Sequence, residues 1–198
     1  VRLRDESRAR DAFDYRAEQV AGVLERGLTS TTEVLLSIPP YFETTDGAGR
    51  SAADPGSAES FRRFVAPALA RHPGIAMVEW APLVTNKDRI PFESAVAKRV
   101  RGFTIYTAGP EGWRPAPERD SYTPLLFIEP PSPRIVGLDL DAGSDRATPI
   151  ARASRTGRLT VSPRFTLFED EPGVPSISAY APAYKPGAPL VTEDDRAR

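Results

Sequence analysis

Residues 75–84 read IAMVEWAPLV, and at this stretch the chain changes its period. Before it, apolar residues recur every three or four positions, the spacing of a helix face. Within it they alternate, with Ile75, Met77 and Glu79 toward one side and Val78 and Trp80 toward the other. The alternation predicts a strand, and it divides a helical first part from a strand-rich remainder.

Upstream, the spacing predicts one long helix from Arg8 to Ile38. Phe13, Val20, Leu24, Leu28, Leu35 and Ile38 line one stripe, widened by Ala17, Val23 and Val34, while Arg, Asp and Glu fill the other face. Such a stripe packs on its own domain or pairs with a second copy of itself. Pro39-Pro40 should end or kink it, because proline lacks the amide donor and clashes with the preceding turn. Residues 44–57 are small and polar, a surface loop. A second helix follows, capped by Asp54 or Ser57, burying Phe61, Phe64, Val65, Ala68 and Leu69, and stopped at His72-Pro73-Gly74.

Downstream, residues 87–100 predict a short helix. FTIYTAG (103–109), YTPLLFIEP (122–130) and IVGLDLD (135–141) read as strands, and residues 145–155 as a helix with Pro149 in its first turn, ended by Gly157. LTVSPRFTLF (159–168) and VPSISAYAPAY (174–184) supply further strands. Two helices followed by mostly antiparallel strands make the fold class α+β.

Composition excludes several functions. Lys and Arg number 26 against 27 Asp and Glu, so no basic face is indicated and no nucleic-acid partner is expected. Without cysteine there is no disulfide, thiolate metal site or cysteine nucleophile. No apolar run approaches the about 18 residues of a membrane span. The charged beginning and the TEDDRAR end are what a domain excised from a longer protein would show.

Catalytic and metal chemistry lack their residues. His72 is the single histidine and suits a helix end; no serine lies in a nucleophile-elbow pattern, and zinc would lack ligands. DLDAGSDRATPI (139–150) begins like a calcium loop at Asp139, Asp141 and Asp145, but its sixth and twelfth positions hold Ser144 and Ile150 instead of glycine and glutamate. Asp141 and Asp145 read better as a turn and a helix cap. No phosphate-cradling loop follows any strand. No catalytic residue, metal or cofactor is therefore expected. A carboxylate-pair hydrolase stays as the least favoured reading.

RDSYTPLLFIEP (119–130) places Asp120 directly ahead of a buried apolar run, as a turn residue, a catalytic acid or the polar anchor of an apolar pocket. This block, with HPGIAMVEWAPLV, RIPFE, GLDLDAGSDR, and ARASRTG followed by VSP, resembles in order and spacing the CHASE domain, an extracytoplasmic sensory module of histidine kinases and nucleotide or diguanylate cyclases.

The resemblance, over roughly residues 58–195, implies a stalk and dimerisation helix over 1–43, a membrane-distal PAS-like ligand-binding lobe over 58–165, and part of a membrane-proximal PAS-like lobe over 166–198. It also implies a place on the periplasmic or extracellular side of the membrane, a small-molecule ligand, a homodimer joined through the N-terminal helix, and no catalysis in the domain itself. Ligand binding would bias helix packing for transmembrane signalling. Plant members bind adenine-type cytokinins, and their aspartate in the RDxYxP block accepts hydrogen bonds from ligand nitrogens, which maps that role onto Asp120. Trp80, Tyr106, Tyr122, Leu138 and Thr156 are the implied pocket walls. Two departures stand out: the chain stops before the family's closing strand, and Arg164 precedes Phe165 where relatives have phenylalanine after the SP step. The rival reading is a dimerisation or protein-partner module without a pocket.

Overall fold

Two adjacent prolines shape the helical part. The computed structural model describes residues 2–46, 55–109, 112–142, 146–166, 175–184 and 192. Helix α1 spans Arg2–Leu36, and after a turn at Ser37, α2 spans Ile38–Asp46. The prolines therefore interrupt the long helix without ending it. Both fall in the first turn of α2, where the amide that proline lacks would have no intrahelical partner anyway. Residues 47–54 of the expected polar loop, Asp54 included, lie outside the described residues. Helix α3 covers Pro55–Arg71, so Ser57 sits inside it and not at its cap. Phe61 and Val65 are buried on its inner face, whereas Phe64 is 40% exposed and stacks on Tyr41 instead.

The upper stripe of α1 stays in solvent. Phe13, Val20, Leu24 and Leu28 are exposed, and only toward its end does the stripe reach the core, through Leu35 and, beyond Ser37, the buried Ile38. Among the described residues no helix is long and apolar enough to cross a membrane.

The strands are short. β1 is Val78–Trp80 and β2 Val84–Thr85; helix α4 (Asn86–Ala97) follows, then β3 (Tyr106–Gly109), β4 (Gly112–Pro115), β5 (Ser121–Tyr122) and β6 (Phe127–Glu129). β1 runs antiparallel to β6, with Trp80 opposite Phe127; β2 pairs with β5 and β3 with β4. Further backbone bonds join these ladders. Leu126 N–H donates to the Trp80 carbonyl at 2.9 Å, Leu125 N–H to Leu138 at 2.9 Å, and Asp139 N–H to Tyr106 at 2.9 Å. The resulting spatial order is 78–85, 121–129, 137–140, 106–109, 112–115.

Neighbouring residues on β6 divide the core. Phe127 packs with Phe42, Phe61, Val65 and Trp80, while Ile128 packs with Leu125, Ile135, Leu140 and the half-buried Ala81, Leu138 and Ile150. Successive strand side chains point to opposite faces, so the two clusters lie on the two sides of the sheet. One side meets α2 and α3; the other meets the start of α5 (Ala147–Thr156).

Two expected elements differ. Residues 135–141 do not form a continuous strand: a 3-10 turn over Pro133–Ile135 leads into Gly137 at φ 94°, and only Leu138 and Asp139 bridge to their neighbours. In α5, Pro149 is the third residue and is preceded by Arg146, which makes no side-chain cap; Asp145 lies outside the described residues. Gly157, at φ 70°, ends the helix as expected.

Against α5 lies a last antiparallel layer, in which β7 (Thr160–Val161) pairs with β10 (Ala179–Tyr180), and β8 (Phe165–Thr166) with β9 (Pro175–Ser176). Residues 167, 168 and 174 of the expected strands fall outside the described residues.

Gly137 is where a single methyl would do most backbone damage. A Cβ there would sit 2.5 Å from the Thr104 carbonyl oxygen, on a backbone already in the left-handed region. Gly137→Ala is expected to lose about 1–3 kcal/mol from strain alone, more once the clash is relieved, read as a lowered urea midpoint.

Candidate functional site

The RDSYTP block turns inward at its tyrosine. Tyr122 is 0% exposed although it carries a hydroxyl, and such burial is tolerated only when that oxygen is bonded. Here it accepts the Arg119 backbone N–H at 2.9 Å and Arg89 Nη1 at 3.1 Å. Its own O–H is donated toward Asn86 Oδ1 and the Pro117 carbonyl, each at 3.2 Å. The Arg89 guanidinium also covers the Tyr122 ring, 4.8 Å from the centroid.

Arg89 comes from the RIPFE segment on α4. It donates to the Ala116 carbonyl at 2.9 Å and pairs with Glu93 at 3.1 Å. Burial pulls its pKa down, but the bonds to Tyr122 and Glu93 outweigh that and leave it raised, so the group stays a cation. Glu93 also accepts the Ile105 N–H at 2.8 Å, fixing α4 against the chain entering β3.

The carboxylate that the fold buries at this mouth is Asp139, in the GLDLD segment. It is 3% exposed. Its Oδ2 accepts Arg119 Nη2, while Oδ1 accepts the backbone N–H of Thr123 at 2.9 Å and of Asp141 at 3.2 Å. Arg119 Nη1 also donates to the Asp141 carbonyl at 2.9 Å. A buried charge is stable only with this degree of pairing.

Next to it, burial raises the Asp141 pKa, Arg119 pulls it back and Asp139 pushes it up again, for a net rise. The folded state then binds its proton more tightly than the unfolded chain. Between the ordinary carboxylate range and the raised value, stability falls as pH rises. Asp141→Asn, which keeps the backbone carbonyl bonded to Arg119, is expected to be as stable as the parent or more so at neutral pH. It should also flatten the loss of stability that sets in as pH rises above the ordinary carboxylate range, read as urea midpoints at successive pH values.

The residues named from the sequence occupy different settings. Asp120 is exposed; its backbone carbonyl accepts the Asn86 N–H at 2.8 Å. Tyr122 is the buried hub just described. Trp80 lies half-buried on the helix-facing side, its ring stacked on Phe42 with centroids 3.4 Å apart. Tyr106 and Leu138 are bridge partners, with Tyr106 donating its hydroxyl to the Arg134 carbonyl at 2.9 Å and resting against Trp113. Thr156 bonds within its own helix end, to the Arg152 carbonyl at 2.8 Å. Tyr106 and Leu138 are thus brought together. Trp80 stands on β1 and Thr156 at the end of α5.

Arg89 and Glu93 were not singled out in the sequence, and Asp139 was weighed only as part of a calcium-like loop. The signal was nonetheless there. RIPFE carries an Arg and a Glu four residues apart on a predicted helix, and GLDLD an acid within an apolar run.

With this geometry in place, comparison with known proteins is specific. A family model described as the CHASE domain matches residues 56–198. A protein named "Probable histidine kinase 4", from Oryza sativa subsp. japonica, is 29% identical over 116 residues, covering 59% of this chain and 11% of that protein.

Proposed function

The chain belongs to the CHASE domain family, and from that premise we propose that it is the extracytoplasmic ligand-sensing part of a membrane-anchored histidine kinase or cyclase. The domain is sensory and has no reaction of its own. Its sheet and the layer beyond α5 correspond, in this reading, to the two PAS-like lobes, and a small molecule held on the sheet changes how α1 pairs with α1 of a second copy.

One observation carries the proposal from family to mechanism. Phe42 on α2 stacks on Trp80 of β1, and Phe42, Phe61 and Phe127 continue the contact across α3 to β6. Aromatic cores of this kind are densely packed and transmit displacement instead of absorbing it. A shift of the sheet therefore reaches the helix that continues α1. The exposed stripe of Phe13, Val20, Leu24 and Leu28 is the surface a second α1 would cover. A ligand changes this arrangement only if it binds the two packings with different affinity.

The experiment is a thermal-shift screen of the chain against a broad metabolite library, followed by calorimetry on each hit. Binding at 100 times the dissociation constant adds about 2.7 kcal/mol. At about 2–4 °C per kcal/mol for a chain of this size, a saturating ligand raises the melting temperature by several degrees. A library without a single stabilising molecule would contradict the sensor reading and favour a partner-binding module. Asp120→Ala in the same calorimetry separates a carboxylate that reads ligand N–H groups from one that only faces water.

A further inference from the structure

The sheet face turned away from α2 and α3 carries a polar corner that the reading above leaves unused. Glu79 sits opposite Ile128, on the side of the cluster containing Ala81, Leu138 and Ile150. Ile150 begins α5 and bonds back to the Arg146 carbonyl at 3.0 Å. One residue before Ile150, the Pro149 carbonyl accepts the Thr160 hydroxyl at 2.6 Å, and Thr160 lies opposite Tyr180 in the β7–β10 ladder. These links bring β1, the start of α5 and β10 to one corner.

Three chemically distinct groups lie on the elements that form it: Glu79 on β1, Arg146 at the entry to α5 and Tyr180 on β10. The Tyr180 hydroxyl is buried, yet no group among the described residues completes a hydrogen bond of normal geometry with it. Arg146 lies over the Phe165 ring, 4.6 Å from its centroid. Burial raises the Tyr180 pKa; the Ser178 side chain and Arg146 oppose the rise and Glu79 adds to it, so both charged groups act on this phenol. A buried hydroxyl left without a partner is rare in a folded protein and marks a place that something else completes.

We propose that Glu79, Arg146 and Tyr180 form the polar end of the ligand site, and that the ligand is a small zwitterion of the α-amino-acid class. This rests on the sensor reading and gives its ligand a chemistry. The planar guanidinium suits a carboxylate, which takes two parallel N–H bonds. The Tyr180 hydroxyl donates a further bond to the same carboxylate. Glu79 accepts the ammonium group. Ala81, Leu138 and Ile150 offer the apolar floor for the ligand's side chain, matching the mostly apolar sites with few polar anchors that hold small molecules.

The test uses the standard L-amino acids, one at a time at millimolar concentration, in thermal shift and then calorimetry with the 198-residue chain. The expected result is stabilisation by at least one of them, lost when the same molecule lacks either its amino or its carboxyl group. Tyr180→Phe keeps the ring and should weaken binding about tenfold or more, the usual effect of losing a hydrogen bond to a charged group. Glu79→Gln should weaken the amino acid far more than its deaminated counterpart. The comparison of ligand analogues on the unaltered chain does not depend on any variant folding. If no amino acid binds, or if binding is indifferent to both variants, the inference is overturned. A ligand of another class from the broader screen, insensitive to Tyr180→Phe, would overturn it while leaving the sensor reading intact; a screen empty of all ligands would remove both.

Discussion

Asp139→Ala is expected to destabilise the domain by about 3–5 kcal/mol, the range for breaking a buried ion pair by removing one partner. The loss does not come from the Arg119 attraction alone. Alanine would leave the Thr123 and Asp141 amides without an acceptor and the Arg119 guanidinium partly buried without its counter-charge. The melting temperature should fall by about 10 °C, at 2–4 °C per kcal/mol. Asp139→Asn keeps one acceptor oxygen and should lose less. The urea midpoints of the two variants and the parent order these expectations. If Asp139→Ala stayed within about 0.5 kcal/mol of the parent, as surface substitutions do, the carboxylate would have to be hydrated rather than clamped.

Phe61→Ala should be equally severe, at about 3–5 kcal/mol for removing a large aromatic side chain from a close-packed core. Phe61 is 1% exposed and lies with its ring centroid 5.8 Å from both Phe42 and Phe127. Its removal opens a cavity between α2, α3 and β6, at the point where the sheet meets the helical part. Amide exchange should therefore speed up in residues 38–42 as well as in α3. Trp113→Ala is the contrasting case, because Trp113 is 53% exposed on β4 and its loss should change the urea midpoint little. Equal effects from the two variants would contradict the placement of the core.

The helical half of the fold was legible because apolar spacing reports a helix face directly. The strand-rich half was legible in order but not in extent. Residues 135–141 alternate like a strand, yet Gly137 needs a positive φ to let the backbone pass Thr104, and that close approach is invisible to periodicity. Pro39-Pro40 shows the same limit: a proline pair ends one helix and begins the next equally well, and only the packing of Ile38 and Phe42 into the core decides.

At the site, sequence order drew attention to Asp120, the acid beside the apolar run. The fold buries Asp139 instead, 19 residues on, where Arg119 and two amides can reach it. Which of two nearby acids turns inward depends on register across the sheet, and register is set by pairings far apart in the chain. Tyr180 escaped notice for a similar reason. Glu79, whose charge acts on it, lies about half the chain away, and no local pattern encodes that relation.

In the proposed sensor, a molecule held on the sheet would be felt at the base of the long helix. Amide hydrogen exchange of the chain, with and without a stabilising ligand from the screen, tests it most directly. Protection is expected in residues 79–81, 125–128 and 137–140 together with a changed rate in residues 38–42, carried through the Phe42–Trp80 stack. Protection confined to other segments, with residues 38–42 unchanged at ligand saturation, would contradict it.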